Sequence, residues 1–147
     1  MASSIARANR RFGYRPDYLL PRRALSVRRL GQAFFEALDG GEFQAITSIL
    51  TLTEVLIHPL RANDSKLAAR YRETLLDAEN LSVFAMTEDI AEEAARVRAT
   101  TNLRVPDAIQ WATATRRGAT FFLTNDRKLS KLSGIAVINL QDVNHSK

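Results

Sequence analysis

Phe121-Phe122-Leu123-Thr124-Asn125-Asp126-Arg127 is the stretch whose reading decides the fold. Three large apolar residues followed by Thr read as a short buried strand, and Asn-Asp turns the chain out of it. Asp126 therefore stands just past the carboxyl end of a strand. Two stretches upstream set an acid in a comparable place. Glu54 follows Thr47-Ser48-Ile49-Leu50-Thr51-Leu52-Thr53, and Asp107 follows Pro106 at the opening of a helical pattern.

Working outward from these points, Phe43 to Leu50, Leu81 to Met86, Ala119 to Leu123 and Ile135 to Leu140 read as strands. Helical spacing of apolar residues covers Leu25 to Leu38, which Asp39-Gly40-Gly41 ends, and Lys66 to Ala78. In the second of these, Leu67, Tyr71 and Leu75 share a face that serves a core or a partner. A helix starting near Thr51 is expected to be limited or kinked at Pro59. Further helices are expected from Glu88 to Thr100, with Thr87 as N-cap, and from Pro106 through Thr115, closed by Arg116-Arg117-Gly118. A short helix through Lys128 and Leu132 joins the last two strands. Strands alternating with helices imply βαβ units, right-handed crossovers and a largely parallel sheet, hence the α/β class.

The 147 residues fit one domain, and 46% hydrophobic with 25% charged residues is an ordinary globular balance. There is no cysteine, which excludes disulfides and thiolate metal sites. His58 and His145 are the two histidines, leaving little room for histidine acid–base chemistry. No apolar run approaches the roughly 18 residues of a membrane span. No apolar segment precedes Arg7, Arg10 and Arg11, so a secretory signal is not expected and a cytoplasmic location is. The net charge of +5 is unevenly spread. Residues 1–30 carry eight arginines against Asp17, or +7, while the rest carries 13 basic and 15 acidic side chains, or −2. Residues 1–24 accordingly read as a basic, irregular segment before a domain at 25–147. Such a segment attracts nucleic-acid phosphates or is simply a solvated arm.

Each acid also has a purely structural explanation. Thr51-Leu52-Thr53-Glu54 has capping-box spacing, Asp107 suits a first helical turn, and Asn125-Asp126 suits a turn. Together they point further. In open parallel α/β sheets ligands bind beyond the carboxyl ends of the strands, and all three acids are placed to reach that edge. Three adjacent carboxylates repel one another in a low-dielectric cleft, and a hard cation removes that cost. All-oxygen ligation favours Mg²⁺ or Mn²⁺ over zinc.

Thr51-Leu52-Thr53-Glu54-Val55-Leu56, Val105-Pro106-Asp107-Ala108-Ile109-Gln110-Trp111-Ala112-Thr113-Ala114 and Phe122-Leu123-Thr124-Asn125-Asp126 resemble the three later motifs of PIN domains, and among these the VapC-like ribonuclease toxins. The resemblance runs from about Gly41 to Asp142. It implies a three-layer α/β/α sandwich with a small, mostly parallel sheet. It also implies Mg²⁺- or Mn²⁺-dependent hydrolysis of RNA, a cognate antitoxin protein and a homodimer. By position, Glu54, Asp107 and Asp126 become metal-binding and catalytic residues, with Thr124 and Asn125 supporting them. Arg116, Arg117, Arg127 and Lys128 lie next to the motifs as candidates for holding phosphates, or as ordinary solvated helix ends.

Such domains normally begin with a short apolar strand ending in Asp, and the chain departs from this. Asp17 is the sole acid before Glu36 and follows Tyr14-Arg15-Pro16, not an apolar run. Asp17 replaces that ligand, or the N-terminus is altered and the sheet lacks its usual first strand. The second case supports an alternative function, a catalytically impaired PIN-like module that binds RNA or protein. A third reading is a plain α/β interaction domain whose acids are only helix caps.

Overall fold

The computed structural model describes residues 33, 36–124 and 126–139. The expected basic segment at residues 1–24, most of the helix expected at 25–38, Asp17 and Asn125 lie outside these.

Among the described residues, four strands of four residues pair as two parallel ribbons. In the first, β1 (Ala45–Ser48) runs beside β2 (Leu81–Phe84), with Ala45 opposite Leu81 and Ser48 opposite Phe84. In the second, β3 (Phe121–Thr124) runs beside β4 (Ala136–Asn139), with Phe121 opposite Ala136 and Thr124 opposite Asn139. Parallel neighbours need long crossovers. Helices α1 (Leu50–Arg61) and α2 (Ser65–Leu76) connect β1 to β2, and a 3-10 turn at Leu129–Lys131 lies between β3 and β4. Helices α3 (Glu88–Thr100) and α4 (Val105–Arg116) lead from the first ribbon to the second.

Each ribbon has its own apolar cluster. Leu38, Ala45, Leu75 and Leu81 form one under β1 and β2. The larger one joins Ile90 and Ala94 of α3, Ala108, Ile109, Trp111, Ala112 and Ala114 of α4, and Phe122, Leu129 and Ile135. Trp111 and Phe122 meet there with ring centroids 5.3 Å apart, which locks α4 onto β3. Helix α4 is buried over seven consecutive residues, Ala108 to Ala114, so neither of its flanks faces water. Its small alanines let neighbours approach on several sides.

The expected α/β class and parallel strands are present, but the strands do not form one continuous ladder among the described residues. Instead Phe43 to Thr47 and Ala119 to Leu123 face each other across a cavity of about 270 Å³ floored by α4. Consecutive residues of a strand point to opposite faces. A cavity touching Ala45, Ile46 and Thr47 on one side and Phe121, Phe122 and Leu123 on the other therefore lies along strand edges, not on one sheet face. The floor residues Gln110, Thr113, Ala114 and Arg117 follow the i, i+3, i+4, i+7 stripe of a helix.

One local expectation is refined and another corrected. The helix of Glu54 is limited near Pro59 as expected, but passes it by two residues and ends at Arg61. Pro59 falls in its last turn, where the missing amide forfeits one bond, and its ring is buried. Asn63 then takes a left-handed φ of 53°, and the Asp64 carboxylate caps α2 by accepting from the Leu67 amide at 2.9 Å. Thr51, by contrast, does not act as a cap. Helix α1 already starts at Leu50, Ile49 occupies the cap position without a side-chain bond, and Thr51 is buried inside the first turn.

Candidate active site

Asp107 is positioned by the start of α4. Arg104 is extended at the cap position, Pro106 sits in the first turn, and Asp107 follows with its carboxylate at the positive end of the helix dipole. Partial burial, and after it the negative charge of Asp126, raise the Asp107 carboxyl above its ordinary range. Arg104 and Lys128 offset part of that rise.

Asp126 is held by the turn after β3. Its amide donates to the buried Thr124 hydroxyl at 3.0 Å, and its Oδ1 accepts from the Lys128 amide at 2.9 Å. The Leu129 amide donates to the Asp126 carbonyl at 3.2 Å. This is a compact polar turn that fixes the carboxylate just beyond the strand. Asn125 lies outside the described residues.

Glu54 lies one turn into α1 and is exposed along much of its length. Partial desolvation of its carboxyl, then the charge of Asp107, push it upward as well. The electrostatic coupling thus runs from Glu54 to Asp107 and from Asp107 to Asp126, with Asp107 central. Among the described residues no group of three or more acidic or histidine side chains is placed to hold a metal ion. The acids are close enough to feel one another's charge without forming a closed cage. Their chemistry, carboxylate oxygens with basic residues on the margin, suits a hard divalent cation.

A buried polar cluster that sequence reasoning missed ties these elements together. Gln110, one turn after Asp107, is 7% exposed, while Thr47 and Thr51 are 4% and 1% exposed. The Ser48 amide donates to Gln110 Oε1 at 3.1 Å, and Gln110 Nε2 donates to Thr51 Oγ1 at 3.0 Å. Thr47 Oγ1 donates to Gln110 Oε1 at 3.4 Å and lies 2.7 Å from Thr51 Oγ1. With Thr51 donating to Thr47, each hydroxyl in this ring gives one proton and receives one. The available signal was a long amide inside the otherwise apolar or small stretch Ala108 to Ala114.

The basic candidates separate. Arg116 reaches Glu93 of α3 at 2.7 Å, and Arg117 donates to Thr87 at 3.2 Å and stacks over the Phe84 ring at 5.0 Å. Both lie at the far end of α4, about 14 Å along its axis from Asp107. Lys128, and Arg104 which the sequence did not single out, are cations whose charge acts on Asp107.

A PIN domain model matches residues 23–135 of the sequence. The chain belongs to the PIN domain family. The matched PIN region includes Glu54, Asp107 and Asp126 and the strands β1, β2 and β3. One solved chain with this PIN-like fold comes from a toxin–antitoxin complex of Klebsiella pneumoniae; it is 24% identical, with a TM-score of 0.57, over 80% of this chain and 88% of that one. No curated protein matches the sequence. No helix among the described residues of this PIN domain is long and apolar enough to cross a membrane.

Proposed function

We propose that this PIN-domain protein is a metal-dependent endoribonuclease and the toxin of a type II toxin–antitoxin pair, working in the cytoplasm. The carrying observation is the coupling of three acids from three separate elements, with Asp107 at its centre. Glu54 and Asp107, whose carboxyls are raised first by burial and then by a neighbouring carboxylate's charge, are poised to gain from a cation. Asp107 and Asp126 would be the main ligands of Mg²⁺ or Mn²⁺, with Glu54 a third ligand or a base that orients water. Bound there, the cation supplies charge to stabilise the phosphodiester transition state and to acidify water.

The chain's own residues supply the remainder. Glu54, the most exposed of the three acids, can accept a proton from an attacking water. The Thr124 hydroxyl fixes the Asp126 turn, so that carboxylate need not be ordered when substrate binds. Lys128 and Arg104 stand where RNA phosphates would approach the acids. Partners of the same reading are an antitoxin protein that covers the acidic edge and a second copy of the chain.

The test is cleavage of single-stranded RNA with Mn²⁺ or Mg²⁺ by purified protein, alongside Asp107→Asn. Metal-dependent cleavage abolished by the substitution supports the proposal. The second reading, an impaired PIN-like binding module, rests on the sequence's departure from the usual apolar strand ending in Asp, since Asp17 follows Tyr14-Arg15-Pro16. RNA binding by folded protein without cleavage or metal-induced thermal stabilisation would establish that reading instead.

A further inference from the structure

The two apolar clusters divide the acids. Glu54 belongs to the β1–α1 side, whereas Asp107 and Asp126 belong to the α4–β3 side. Apolar contact across this division includes Leu50, which packs against the larger cluster. Apolar contact has no directional preference, so it permits sliding. Among the described residues, Gln110 makes directional bonds across the division. Its three partners lie 59 to 63 residues away in sequence, at the junction that launches Glu54.

The strand geometry explains why an amide serves here. The Ala45 and Ile49 amides donate toward β2, to the Asn80 and Phe84 carbonyls at 2.8 Å each. By the two-residue period of a strand, the Ser48 amide points to the opposite, open edge of β1. Gln110 Oε1 meets it there, standing in for the carbonyl that a neighbouring strand would offer. The same side chain donates to Thr51 and so reads the first turn of α1. A buried amide with both ends engaged is costly to displace, because each orphaned partner loses its bond without regaining water.

We propose that Gln110 is the positioning residue of the acidic site. It latches the first turns of α4 to the β1–α1 junction and thereby sets the separation of Asp107 from Glu54. The consequence for catalysis rests on the nuclease reading above, but the latch itself does not.

The experiment uses the full chain, which has no cysteine of its own. Ile57→Cys on α1 and Val105→Cys on α4, 43% and 49% exposed, take nitroxide labels. Their distance distribution is measured by pulsed electron resonance, with free Mn²⁺ and RNA cleavage measured on unlabelled protein. The expected result is one narrow distance in the parent and in Thr51→Ser, which keeps the hydroxyl. Gln110→Met, equal in length without hydrogen bonds, shifts or broadens it, and Thr51→Val does the same more weakly. Mn²⁺ affinity and kcat fall about tenfold in Gln110→Met, with KM nearly unchanged. An unaltered distance in folded Gln110→Met overturns the proposal; if that variant fails to fold, an unaltered distance in Thr51→Val does so. A parent that neither binds Mn²⁺ nor cleaves RNA sinks the nuclease reading alone, since the label distances still judge the latch.

Discussion

Asp107 at the head of α4 and Asp126 beyond β3 are electrostatically coupled. Partial burial, and then the charge of Asp126, keep the Asp107 carboxyl above its ordinary range. An acid whose pKa is raised on folding holds its proton more tightly in the folded state than in the unfolded one. Its effect on stability is therefore absent at low pH and becomes unfavourable as pH rises from about 4 through the raised value. Glu54 acts in the same direction. Metal-free protein is expected to lose stability across that interval. Asp107→Asn should raise the melting temperature at pH 7 by about 2 °C, with the gain gone near pH 3.5. Solvent screening of these half-exposed groups keeps the effect small. Calorimetry at the two pH values checks it; a lower melting temperature for Asp107→Asn at pH 7 would contradict the repulsion.

Divalent metal should reverse the order. Saturating Mn²⁺, at about a hundred times its dissociation constant, stabilises a specific binder by about 2.7 kcal/mol. The parent is expected to gain that stabilisation and Asp107→Asn to gain little. Equal shifts for both in a thermal melt would place the metal elsewhere.

Phosphate contacts should divide by position. Lys128→Ala is expected to raise KM for RNA and to lower the slope of log affinity against log salt by about 1. Arg117→Ala should leave both unchanged, because Arg117 is engaged with Thr87 and Phe84 at the far end of α4. Fluorescence titration with labelled RNA at several salt concentrations separates the two.

The α4–β3 turn offers a backbone test. Gly118 has a φ of +73° and nothing within 4 Å of where a Cβ would stand. Gly118→Ala should therefore cost about 1 kcal/mol from conformation alone, without a clash. Denaturant unfolding checks this, and an unchanged midpoint would show that the turn relaxes.

Leu75 is 4% exposed in the smaller cluster, and Leu75→Ala should cost about 3 kcal/mol there. Trp111, the single tryptophan, reports on the larger cluster. In the variant its fluorescence midpoint should move less than the circular dichroism midpoint. Coincident transitions would show that the clusters unfold together.

Much of this was legible because short-range chemistry wrote it. The run Phe121 to Asp126, the Pro106-Asp107 helix start and the spacing of Ile90, Ala94 and Val97 each need a few neighbouring residues to be read. Thr51 shows where such reading fails. Spacing from Thr51 to Glu54 fits a local cap and a buried tertiary bond equally well, and the amide of Gln110 decides between them from 59 residues away. The division into two ribbons was hidden for the same reason, since period-two patterning identifies a strand but not its partner. Pro59 marks the end of its helix only to within two residues, because a helix tolerates proline close to its end.

The cavity between β1 and β3 has a consequence for cooperativity. A two-stranded ribbon alone is marginal in water, and the described residues form two, each leaning on its own cluster of side chains. An extended segment entering between them to pair with both edges would have to displace Gln110 from the Ser48 amide, and would then merge the two folding units into one. Stability would then depend on the supply of that segment by mass action, as it does for a subunit of an obligate assembly.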